Sequence, residues 1–165
     1  MPLIKLNATQ GLTGTLPAVS GANLTGVSAG KILQVVHTNS SQHTNTNSTS
    51  FIATSLTANI TPASNSNKVY IAVTSDMDCQ ASSVQVFATI YRDSTNIAGG
   101  TENFTNNYGA SSRIITPASM SMLDTPNSSS QLTYTVYVRS STSGTTIKFN
   151  NQDLLGTITL MEIEG

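Results

Sequence analysis

Two acidic residues two positions apart, Asp76 and Asp78, are the most chemically suggestive pair in this 165-residue chain. On a strand they share one face, because side chains alternate with a period of two. That spacing suits a turn or a weak cation site better than the opposed carboxylates that a glycosidase needs. Only six other acids exist: Asp93, Glu102, Asp124, Asp153, Glu162 and Glu164. The histidines are His37 and His43, and the one cysteine is Cys79. Their spacing matches no zinc signature. In a three-fold assembly one histidine becomes three near the axis, which is a consequence of symmetry and not a motif. The expectation is exposed loop histidines and a buried, inert Cys79 thiol. No G-x-S-x-G elbow, P-loop or G-x-G-x-x-G fingerprint occurs. The sequence therefore predicts no enzyme, no catalytic residues, no cofactor and no metal.

The elements that would position binding residues are strands. Ser, Thr and Asn make up 63 of the 165 residues, while only 9% are charged and the net charge is −1. Thr favours strands, and Asn and Ser favour turns. The seven Lys and Arg are scattered, which argues against nucleic-acid binding. No run of 18 apolar residues occurs, and MPLIKLNATQ has no charged region leading into an apolar one, so neither membrane insertion nor a secretory signal is expected. Seven N-x-[ST] sites occur, at Asn7, Asn23, Asn39, Asn47, Asn59, Asn103 and Asn127. A Ser/Thr-rich composition yields roughly four of these by chance, so they do not mark a glycoprotein.

From Lys31 onward, period-two patterns recur between polar punctuators. They cover Ile32–Val36, Phe51–Ile60, Val69–Val73, Val84–Tyr91, Arg113–Met122, Leu132–Val138, Thr145–Phe149 and Thr157–Ile163. In the fourth, Val84, Val86, Ala88 and Ile90 take one side, with Phe87 and Tyr91 opposite. About eight strands in this length predict an all-β chain, a jelly-roll-like antiparallel β-sandwich over residues 31–165. His37–Ser50 reads as a surface loop or long hairpin. Asp93–Ser112 reads as a second polar stretch in which Phe104 and Tyr108 stand alone. Two readings of Phe104 stay open: an exposed aromatic contact, or a residue of another short strand packed inward. On the first reading Asn103, Phe104, Asn106, Asn107 and Tyr108 form a receptor contact, since rigid aromatics give contact area at small entropic cost.

Residues 1–30 differ from the rest. Leu12-Thr13-Gly14-Thr15 is echoed twelve residues later by Leu24-Thr25-Gly26-Val27, with Pro17 between. Gly and Pro at this density exclude a helix. The segment is either a flexible linker or an extended arm that buries Leu12, Leu16, Val19, Leu24 and Val27 against copies of itself. Extended, 30 residues reach roughly 100 Å at about 3.3 Å each. Leu3, Ile4 and Leu6 supply a further apolar anchor.

The run from Gly11 to Thr25 resembles the shaft-to-head junction of bacteriophage tail fibres, notably of marine or cyanobacterial phages. Gly30–Val36, Leu56–Pro62, Asn67–Ile71 and Thr157–Ile163 resemble strands of their head domains in the same order. The resemblance implies a homotrimeric virion fibre protein on the phage particle surface, made in the host cytoplasm, with a thin stalk, a β-sandwich head and a role in host recognition, the expected ligand being surface glycans. The alternative is a capsid decoration protein, purely structural, held to other virion proteins by its N-terminal arm.

Overall fold

A computed structural model describes residues 30–98, 104–151 and 154–165. The arm residues Leu3, Ile4, Leu6, Leu12, Leu16, Val19, Leu24 and Val27 lie outside the described residues, as does Asn103.

Eleven strands and no helix occur among the described residues: β1 (Ile32–Ser40), β2 (Thr44–Thr46), β3 (Ile52–Ile60), β4 (Lys68–Cys79), β5 (Val84–Arg92), β6 (Thr95–Asn96), β7 (Thr105–Gly109), β8 (Ile114–Asp124), β9 (Leu132–Ser140), β10 (Ile147–Phe149) and β11 (Gly156–Ile163). All pairings are antiparallel. Several short strands lie end to end. β11 pairs with Lys68–Thr74 of β4 and β10 with Met77–Cys79, while β8 takes the other edge. Likewise β1 pairs with β11 and β2 with β10. Each collinear pair fills one lane, so each sheet has four lanes. The first runs β1/β2, β11/β10, β4, β8; the second runs β3, β9, β5, β6/β7. Numbered in chain order, the lanes read 1-8-3-6 and 2-7-4-5, the order of an eight-stranded jelly roll. The expected all-β antiparallel sandwich is what the chain forms.

Alternation drives the packing. Val69, Ile71, Val73, Ile158 and Leu160 from one sheet meet Leu56, Ile60, Val86, Ile90, Val136 and Val138 from the other, all nearly inaccessible to water. A sandwich core of this kind is about 10 Å thick. Cys79 is fully buried, as expected, and its thiol donates to the Val84 carbonyl at 2.9 Å.

Two expectations need correction. The polar run after Val36 is not all loop: β1 continues through Ser40 and β2 follows. His37 is exposed but lies on β1, its Nδ1 2.9 Å from Thr159 Oγ1. The polar stretch Asp93–Ser112 carries β6 and β7, in line with the short-strand reading of Phe104. In each case backbone pairing with an established neighbour makes the strand, and outward Asn, His and Ser side chains need no apolar alternation. Asp76 and Asp78 share a face, as expected, but lie inside the 12-residue β4 and not in a turn.

The break between β10 and β11 is held by Asn150. It sits at φ 58°, in the left-handed region that Asn tolerates better than most residues. Its Nδ2 donates to the Ser40 carbonyl at 2.7 Å and the Gln42 carbonyl at 3.1 Å, bridging the matching break between β1 and β2. A Cβ on Gly156 would lie 2.9 Å from Asn150 Oδ1, so a side chain there displaces the Asn150 bridge.

Candidate binding surface

The outward face of the second sheet carries a concentration of aromatic side chains. The chain has four Phe, five Tyr and no Trp. Strand parity sends Phe87 and Tyr91 of β5, and Tyr137 and Arg139 of β9, away from the core. Register then aligns them: Asn106 of β7 pairs with Phe87, and Phe87 with Arg139. Phe51, just before β3, completes the row, since Ile52 pairs with Val138. The Arg139 guanidinium carbon lies 4.0 Å from the Phe87 ring centroid and 5.2 Å from that of Phe51. Tyr91 stacks on Tyr137 at 4.0 Å, and Phe51 meets Tyr91 edge-on at 6.3 Å. Phe87 is itself only 7% exposed, lying beneath Arg139; such a contact gains about 0.5–1 kcal/mol at an exposed site and more where it is desolvated. Neither of the ion pairs among the described residues involves Arg139. Its planar fork is therefore held by rings, with no carboxylate partner among the described residues.

The residues singled out from sequence divide by parity. Asn106 and the half-exposed Tyr108 (49%) point outward beside Phe87 and Gln85, extending the aromatic row to the β7 edge. Asn107 faces inward and is buried, and its Nδ2 has no hydrogen-bond partner. Phe104 packs against the core from the start of β7, in keeping with the inward reading. Sequence reasoning placed Phe87 and Tyr91 opposite the core face but did not join them to Tyr137 and Arg139. The signal was there, in the outward parity of Leu132–Ser140. What was missing was the register.

Asp76 and Asp78 form a different kind of site. Both are covered by the segment after β10. Asp78 accepts from Arg113 Nε (3.0 Å) and Nη2 (2.7 Å), from Gln80 Nε2 (2.7 Å) and from Asn151 Nδ2 (3.1 Å). Burial alone would raise its pKa, but Arg113 and Gln80 outweigh that and hold it below the usual carboxylate range. Asp76 accepts from the Asn151 amide through Oδ1, while Oδ2 has no partner. Burial, with the Asp78 charge nearby, pushes the Asp76 carboxyl up. Two neighbouring carboxyls with opposed shifts can signal acid–base chemistry. Here Asn151 bonds both carboxyls and the Asn150 amide donates to the Asp76 carbonyl, so the pair anchors the 150–151 segment on β4. A cavity of about 310 Å³ lies alongside, lined by Asp76, Ile115, Pro117, Leu154 and Leu155 among others. No group of three His, Cys, Asp or Glu stands together among the described residues.

No family model matches the sequence, and no curated protein does. Among solved structures, the chain is similar to a D431N mutant of the VP2 protein of infectious bursal disease virus, from T=1 particles. The identity is 14%, the TM-score is 0.44, and the match covers 93% of this chain and 41% of that one. The chain thus spans about two fifths of the length of that neighbour.

Proposed function

We propose that this chain is a non-enzymatic virion structural protein, a homotrimeric fibre head that binds saccharides on the host surface through the outward face of its second sheet. The observation that supports it most is the row Asn106–Phe87–Arg139–Phe51, flanked by Tyr108 and the stacked Tyr91–Tyr137 pair. Sugars bind to surfaces that combine flat apolar rings with fixed hydrogen-bond donors. Arg139 adds a planar cation suited to a carboxylate or a pair of hydroxyls. The low charge of the chain fits a particle component exposed to changing salt, because few ion pairs leave little to screen. Residues 1–30 would bind other virion proteins. Neither nucleic acid nor a membrane is a partner in this reading.

The test is binding of the full chain to an array of neutral and acidic bacterial surface saccharides. The expected result is binding that falls at least about tenfold, ~1.4 kcal/mol, in Arg139→Ala and in Tyr108→Ala. Wild-type binding that neither substitution weakens overturns the assignment of the surface. No saccharide binding, with the protein retained on purified particles and released by deletion of residues 1–10, replaces the receptor reading with a purely structural decoration protein.

A further inference from the structure

The outward face of the first sheet is polar through its middle and apolar toward both ends: around Ile115, Pro117, Leu154 and Leu155 at one, and in a single cross-strand row near the other. Val35 on β1 pairs with Met161 on β11, Met161 with Tyr70 on β4, and Tyr70 with Leu123 on β8. Four apolar side chains thus cross all four lanes in register, spanning about 14 Å at roughly 4.8 Å per lane. The next row along is His37, Thr159, Ala72 and Ser121, followed by Asn39, Thr157, Thr74 and Ser119. The apolar row is therefore a defined belt. Ile32, Leu33 and Ile163 widen it at the β1 end, where Lys68 pairs with Ile163 and supplies a polar rim.

The most exposed members of the belt are its two ends. Val35 is 55% exposed on one edge strand and Leu123 is 49% exposed on the other, while Met161 and Tyr70 between them are half-buried. A face-to-face pair of copies would bury the middle of the belt first. Contact between opposite edges joins the β1 end of one copy to the β8 end of the next, a heterologous interface of the kind that forms a ring when its rotation closes. An edge strand bearing exposed apolar side chains is also where pairing with another chain is expected.

The position of the arm agrees. The 29 residues that precede the described chain end at Gly30, whose backbone lies against Ile163 at the margin of the belt. If the arms associate, their roots bring the belts of neighbouring copies together.

We infer that the belt is the subunit interface of the head, and that it is occupied by a second copy of this chain, with Val35 of one copy against Leu123 of its neighbour. This inference rests on the trimeric part of the proposed function.

Cys79 is fully buried, so cysteines placed on the surface report alone. Val35→Cys, Leu123→Cys and the double variant are made in the full chain, checked by light scattering, and oxidised. Both sites face solvent in the single chain, and circular dichroism confirms that the variants fold. The expected result is a trimer mass throughout, covalent trimers from the double variant, and none from either single variant. Covalent dimers from a single variant would show a face-to-face contact and overturn the ring. A trimer mass with no covalent species from the double variant would move the interface elsewhere and leave the trimeric reading standing. A monomer mass for the wild type would overturn both.

Discussion

Glu162 is fully buried on the inward face of β11, and the side-chain amide of Asn67 donates to it. Gln34 Nε2 donates at 2.6 Å and the Ala63 amide at 2.7 Å. A carboxylate is thus held inside the sandwich by neutral donors alone. Burial raises its pKa, but the hydrogen bonds from Asn67, Gln34 and Ala63 outweigh burial and leave the carboxyl below its usual range.

That shift sets a pH dependence. The folded-state pKa of Glu162 lies below the unfolded value, so its stabilisation is complete above the unfolded pKa of about 4.3 and fades as pH falls through the folded one. Urea midpoints measured from pH 7 down to pH 3 should fall. Glu162→Gln should flatten part of that fall and cost about 2 kcal/mol at pH 7, because a carbonyl kept on Asn67 and Ala63 turns the new NH2 toward Gln34 Nε2, donor against donor. A variant with an unchanged midpoint and slope would show that the three donors do not hold a charge.

Asn150 should matter more through its backbone and its bridge than its size suggests. Asn150→Ala loses the bonds to Ser40 and Gln42 and leaves alanine at positive φ, for a cost of about 2–3 kcal/mol in the urea midpoint. Asn150→Gly removes the same bonds but relaxes the backbone, so it should recover about 1 kcal/mol of the loss. Equal losses in the two variants would show that φ contributes nothing.

The Arg139 contact is open to a spectroscopic check. Ring currents from Phe87 and Phe51 should shift the Arg139 side-chain resonances upfield, and Phe87→Leu should remove most of that shift. Arg139→Lys keeps the charge but loses the planar stack. It should cost up to about 1 kcal/mol of stability. Arginine resonances at random-coil positions in the wild type would remove the platform from the binding argument.

Much of this protein follows from sequence alone. Alternation in Val84–Tyr91 and Leu132–Val138 identifies the strands and assigns their core faces, because side-chain direction in a strand is a local property with a period of two. Composition leans all-β for the same local reason. The solvated stretches are different. β7 and the second half of β1 are strands because neighbouring strands offer them hydrogen bonds, and no local pattern records that offer. Register is likewise a tertiary property. Phe51, Phe87, Arg139 and Asn106 lie up to 88 positions apart in the chain, and only the pairing of β9 with β3 and β5, and of β5 with β7, makes them one surface. Val35, Met161, Tyr70 and Leu123 are the same case. Each is an unremarkable apolar residue in its own segment, and the belt exists only because four lanes set them side by side. Parity is written residue by residue, while a surface depends on which strands lie next to each other.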